Sequence, residues 1–206
     1  MLGLLASSPL EFFFSLAAIV IAITIHEASH AWMADKLGDP TARLQGRVSL
    51  NPLRHLDPLG TLAMILTRFG WGKPVEFDPY NLQNPRRDSA LIALAGPASN
   101  LILATVLSVV LNFLPIPDFL GIFLIMLITI NVFLAIFNFV PVHPLDGGKI
   151  LVGLLPKDIA NDLDKILRRY GIFILILLIL PLGNSQSPVS YLITPIVSGI
   201  LRLLLG

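Results

Sequence analysis

The chain divides into long apolar runs and short stretches that hold nearly all of its charge. From Phe12 to Ile25 it is almost entirely Phe, Leu, Ala, Ile and Val, and no charged residue stands between Glu11 and Glu27. Extended over 9–35, this run reads as one helix, and at ~1.5 Å per residue it is long enough to cross a bilayer. A second run, 89–113, follows Asn84 and Pro85, residue types suited to a helix cap and a first helical position. It contains Gly96, Pro97 and Asn100, and a proline is tolerated there when neighbouring helices satisfy the carbonyl it frees, so this span is expected to be kinked and packed inside a bundle. A third run, 119–140, follows the turn formers Pro115 and Pro117 and carries Asn131 and Asn138. After a loop of turn formers at 141–148 and a charged amphipathic stretch at 156–170, two shorter apolar runs, 171–182 and 189–205, read as one or two further spans.

The connecting stretches have their own patterns. Residues 41–50 alternate polar and apolar around Gly46, as a short hairpin does. The apolar run 59–69 is too short to span and is expected to dip into the membrane or lie on it. Residues 70–77 bring an interfacial Trp71 and a short strand that Pro74 confines to a sheet edge. The expected fold is mainly α: a polytopic helical membrane protein, one domain over 1–206, with a small β-hairpin or sheet element at the cytoplasmic membrane face.

Composition agrees. The 206 residues are 55% apolar and 13% charged, with a mean hydropathy of +0.81, whereas soluble domains run near ~45–50% and ~25%. The net charge of +1 and the scattered placement of the 14 basic residues exclude a nucleic-acid patch. With no cysteine there is no disulfide framework. The N-terminal run lacks the basic n-region of a signal peptide and is expected to stay as an anchor. Thirteen of the 14 basic residues lie after the first span, before the second, or after the third. Because Lys- and Arg-rich loops stay inside, the N-terminus is expected outside a cell membrane, with these segments in the cytoplasm.

One pattern changes the picture from anchor to enzyme. His26 and His30 are four residues apart, about 40° around a helix, so both imidazoles can reach one ion. Glu27 between them is poorly placed to ligate on the same face but well placed to take a proton from an attacking water. Ionisable residues within an apolar span are costly, which points to function rather than packing. A catalytic zinc commonly takes three protein ligands, so a third must come from elsewhere. The candidates are His55, His143, Asp146 and a few loop carboxylates. Topology favours the loop after the third span, which returns to the side where the first span ends, and there Gly147 and Gly148 let the backbone approach closely behind Asp146.

At this point the sequence resembles the site-2 protease family of intramembrane zinc metalloproteases. The resembling residues are His26, Glu27 and His30; Gly46, Arg47, Leu50, Asn51, Pro52, His55, Asp57, Pro58 and Gly60; Gly96, Pro97 and Asn100; and the block Asn138 to Gly148. The resemblance implies one zinc ion held by His26, His30 and Asp146, with Glu27 as the base. It implies that Asn138 helps to bind the substrate carbonyl or its oxyanion. The reaction implied is hydrolysis of a peptide bond in or beside a substrate's transmembrane helix. His143 departs from the apolar residue or proline frequent in the family, which leaves open its contact with the metal. There is no room for the PDZ insert or CBS domains of larger members.

Simpler roles stand beside these. Asn138 can cap a helix end, His55 reads as a structural hydrogen-bonder in a Pro-rich loop, and Asn100 and Gly96 suit helix packing. A metal-ion transporter could use the same His and Asp side chains, but the internal repeat such a fold favours is missing. The expected partners are a transmembrane substrate and the lipid bilayer. The substrate is expected to enter as an extended strand, captured at a sheet edge at 73–77 or around Gly46.

Overall fold

In a computed structural model of the protein, residues 7–67, 70–181 and 186–206 are described. Helix α1 spans Pro9–Lys36, with Ser8 as N-cap and Pro9 in its first turn. Ala18, Ala22, His26, His30 and Ala34 fall at every fourth position and are all buried. Small side chains at this spacing form a groove, and the two histidines stand in its floor.

After two short helices, α2 (Thr41–Leu44) and α3 (Pro58–Thr67), comes α4, Pro85–Phe113, which continues through Pro97. Asn84 is its N-cap residue, and the Asn84 backbone N–H donates to Asp88 Oδ2 at 2.8 Å. Its buried positions also recur every fourth residue: Asp88, Ile92, Gly96, Asn100, Ala104 and Ser108. The two stripes face each other in antiparallel register, since Asn100 Nδ2 donates to the Ala22 carbonyl at 3.1 Å while His30 Nδ1 bonds the Ile92 carbonyl at 2.7 Å.

Helix α5, Asp118–Asn138, closes the group, burying Ile128, Asn131, Val132 and Ala135. The loop after it leads into α6 (Asp146–Leu154), α7 (Lys157–Ile179) and α8 (Pro188–Leu205). The largest apolar cluster joins Ala104, Ile128, Val132 and Ile136 to Val189, Ile193 and Val197 of α8. Among the described residues four helices, α1, α4, α5 and α8, are long and apolar enough to cross a membrane. Their outward faces carry exposed apolar side chains such as Ile102, Val106, Phe119, Ile125 and Leu192, as lipid surroundings allow. The chain is an integral membrane protein, and it is mainly helical.

The expected β element is a correction. Among the described residues there are no strands, only an isolated bridge between Leu56 and Gly72. The alternation at 41–50 is overridden by local capping. Asp39 Oδ1 accepts from Thr41 Oγ1 at 2.6 Å and from Thr41 N at 3.2 Å, which starts a helical turn. Gly46, at φ +69°, then ends it, with Arg47 N bonding Ala42 O and Gly46 N bonding Arg43 O. That is the six-to-one and five-to-two pairing of a glycine-terminated helix, so Gly46 closes a helix rather than turning a hairpin. Residues 73–77 join no sheet. The 59–69 run forms α3, whose Met64 packs with Phe12, Leu16 and Ile19 of α1; residues 68 and 69 lie outside the described residues. The charged stretch 156–170 and the apolar run after it form one helix, α7, ending at Ile179; residue 182 lies outside the described residues.

Candidate active site and metal centre

The turn spacing of α1 places the His26 and His30 rings 4.6 Å apart and nearly perpendicular. Asp146 reaches them from the first turn of α6, its Oδ2 lying 3.1 Å from His26 Nε2 and 3.3 Å from His30 Nε2. The approach depends on glycine. A Cβ on Gly147 would strike the Phe139 and Val140 carbonyls, and one on Gly96 would strike both imidazoles.

The far sides of both rings are fixed. His26 Nδ1 meets Asn100 Oδ1 at 2.6 Å, and His30 Nδ1 meets the Ile92 carbonyl at 2.7 Å. Each acceptor requires a proton on Nδ1, which turns the Nε2 lone pair toward Asp146. Asn100 in turn donates to Asn131 Oδ1 at 2.7 Å, and Asn131 donates to the Leu127 carbonyl at 2.8 Å, so this buried polar chain is satisfied along its length. Three acceptor atoms facing one another call for a cation. The ligand atoms of His26, His30 and Asp146 lie within 4.8 Å of one another. Two atoms ~2.05 Å from a tetrahedral zinc stand ~3.3 Å apart, so the Asp146 separations of 3.1 and 3.3 Å fit that ion.

A cavity of about 690 Å³ opens on this group, lined by Glu27, Asn138 and Lys149 and by apolar side chains from α1, α4, α5, α7, α8 and the 70–77 segment. Glu27 stands beside the histidines, and the backbone of Gly72 passes over it closely enough that a Cβ there would lie 3.5 Å from Glu27 Oε1 and 2.8 Å from Ile23 Cγ2. Asn138 lines the same cavity but donates its amide to the Leu134 carbonyl at 3.0 Å, the bond a helix-end asparagine makes.

The other two histidines point elsewhere. His55 is fully buried and bonds the Ser49 carbonyl at 2.7 Å; burial pushes its pKa down and Arg47 adds to this, so it is a neutral donor tying down its own loop. His143 pairs with Asp164 of α7 at 3.1 Å. Sequence reasoning gave no role to Lys149 or Arg47. Lys149 follows Asp146 by one helical turn and lies 5.0 Å from the Phe77 ring; burial pushes its pKa down, against the pull of Asp146 and Glu27. Arg47 Nη2 lies 3.9 Å from Glu27 Oε2. Arg47 itself stands in the resembling block, directly after Gly46, and Lys149 directly follows Gly148, where the last such block ends.

A paired-histidine and aspartate site at the end of a membrane-crossing helix, with a carboxylate next to it and an apolar cavity in front, is the equipment of a membrane metallohydrolase. Comparison with known proteins agrees. The chain matches Peptidase family M50 over residues 14–119 and 117–178. It is 34% identical over 190 residues to "Putative zinc metalloprotease YwhC" of Bacillus subtilis, covering 81% of this chain and 80% of that protein. It is 28% identical over 178 residues to "Putative zinc metalloprotease Rip2" of Mycobacterium tuberculosis, covering 82% of this chain and 68% of that one. It is also 27% identical over 139 residues to "Zinc metalloprotease MJ0392" of Methanocaldococcus jannaschii, covering 68% of this chain and 33% of that one. No solved structure matches it significantly. The chain belongs to peptidase family M50, the family of the site-2 proteases.

Proposed function

We propose that His26, His30 and Asp146 hold a single zinc ion, that Glu27 is the base, and that the cavity receives a segment of a transmembrane substrate. The enzyme class itself, an intramembrane zinc metalloprotease, follows from family M50 and from the relatives that carry that name. The observation that carries the ligand assignment is the convergence of Asp146 Oδ2 on two Nε2 atoms at 3.1 and 3.3 Å.

Zinc bound there supplies Lewis acidity toward water and the scissile carbonyl. Glu27 takes the proton of the attacking water and delivers it to the leaving amine nitrogen. Asn100 and the Ile92 carbonyl keep both imidazoles in the ligating tautomer. The apolar walls exclude bulk water from the reaction. Asn138 lines the cavity, and its amide donates to the substrate carbonyl or oxyanion once it leaves the Leu134 carbonyl. The substrate is locally extended when cut, because a carbonyl inside an intact helix is shielded and unwinding in lipid leaves backbone groups unpaired. Val75 and Phe77 of the 70–77 segment line the cavity and give such a chain a wall to lie along. The distribution of basic residues supports a site toward the cytoplasmic face of the cell membrane.

The test is a pair of variants in purified protein. Glu27→Gln keeps zinc and loses cleavage of a labelled membrane substrate, since the amide has the shape but cannot accept the proton. Asp146→Ala loses zinc. Turnover retained by Glu27→Gln removes it as base, and equal zinc in Asp146→Ala removes that ligand. Zinc flux in liposomes without cleavage would return the site to transport.

A further inference from the structure

Arg47 sits on the loop between α2 and the His55 turn, and it is only 3% exposed. Its Nη2 donates to the Lys73 carbonyl at 2.5 Å and lies 3.9 Å from Glu27 Oε2. Its Nε and Nη1 are buried and find no partner among the described residues. A buried guanidinium with two unpaired donor groups and a long ion pair is a poor device for stability. What it holds explains its position better. Residue 73 is gripped on both sides, its N–H by the His55 carbonyl at 2.7 Å and its carbonyl by Arg47. One residue earlier, Gly72 bridges Leu56 and lies over Glu27.

We infer that Arg47 is a positioning residue for proteolysis: its Nη2 orients the Glu27 carboxylate and anchors the 70–77 wall of the cavity above it. The inference rests on Glu27 as the base. One guanidinium nitrogen, Nη2, meets the Lys73 carbonyl and faces Glu27 Oε2, and the rigid guanidinium plane fixes it there, whereas the ammonium of a lysine offers no such fixed geometry. The clamp acts on the proton-transfer step, so its loss lowers kcat more than it raises KM.

The experiment compares Arg47→Lys and Arg47→Met with Glu27→Gln, each purified and assayed for bound zinc, kcat, KM and amide hydrogen exchange across 70–77. The expected result is zinc equal to wild type in all three. In both Arg47 variants kcat falls by roughly ten- to a hundredfold, as misplacing a reacting group by an ångström does. Their KM stays within about threefold and exchange at 70–77 rises, both following from the loosened clamp. Added methylguanidinium restores part of the kcat of Arg47→Met, and methylammonium does not. Wild-type kcat in Arg47→Lys overturns the proposal, and so does loss of zinc in both Arg47 variants, which would mark a general structural role. If Arg47→Met does not fold, Arg47→Lys and its hydrogen exchange decide alone. If Glu27→Gln cleaves normally, it is the base assignment that has failed, whatever the Arg47 variants do.

Discussion

His26 and Asn100 meet across 2.6 Å, ring Nδ1 against amide Oδ1, both buried between α1 and α4. The contact sets the tautomer of a proposed ligand from a helix that supplies no ligand itself. Outer partners of this kind tune metal affinity by ~10–100-fold. Asn100→Ala is therefore expected to weaken zinc binding by about that factor in competition titrations with a chelator, with cleavage recovered when zinc is raised. Unchanged affinity would leave Asn100 as a packing residue only.

Gly96 touches the same two rings from the same face of α4, and any side chain there enters the imidazoles. Gly96→Ala is expected to lower both the thermal midpoint and zinc content, with an overpacking cost of about 1–3 kcal/mol. Gly121→Ala in α5 is the control, since its Cβ would meet only Leu111 Cδ1 at 3.9 Å, and its midpoint should hold or rise slightly. Equal behaviour of the two variants would contradict the close approach of α4.

Asn138 has two roles to choose between. If its amide turns to the substrate in the transition state, Asn138→Ala loses kcat by roughly 10²–10³ while zinc content stays level. If the bond to the Leu134 carbonyl at 3.0 Å is its whole function, kcat changes by less than about threefold. Kinetics with parallel zinc analysis separates these.

Asp164 accepts from Arg168 Nε at 2.6 Å and from His143 Nε2 at 3.1 Å. Burial pushes its carboxyl up, but Arg168 and His143 outweigh this and hold it below its ordinary value. A carboxyl lowered on folding contributes stability that is complete above the unfolded range and lost as pH falls through the folded value. The thermal midpoint of Asp164→Asn is thus expected below wild type near neutrality, with the gap closing as pH drops below the carboxylate range. A gap that persists unchanged at about pH 3 would remove ionisation of Asp164 from the account.

What the sequence determined by itself was local. The apolar runs located α1, α4 and α5 because lipid demands long uninterrupted helices, and the four-residue spacing of His26 and His30 is a property of any α-helix. Asp146 was reachable through topology and the two glycines behind it. The hairpin around Gly46 failed because polar–apolar alternation is weak beside a side-chain cap: Asp39 starts a helical turn and a left-handed glycine ends it. Only the tertiary structure decided which residues face the imidazoles from behind. Asn100 and Gly96 read equally well as packing, and Arg47, a residue of the resembling block, had no role beyond that of a cytoplasmic charge. Each acquires its role from a partner more than twenty residues away on another element: Asn100 and Gly96 from the histidines of α1, Arg47 from Lys73. Period and spacing describe one element at a time. Which stripe of α4 faces which stripe of α1 is settled by packing, where small residues let two backbones approach closely enough to share a proton.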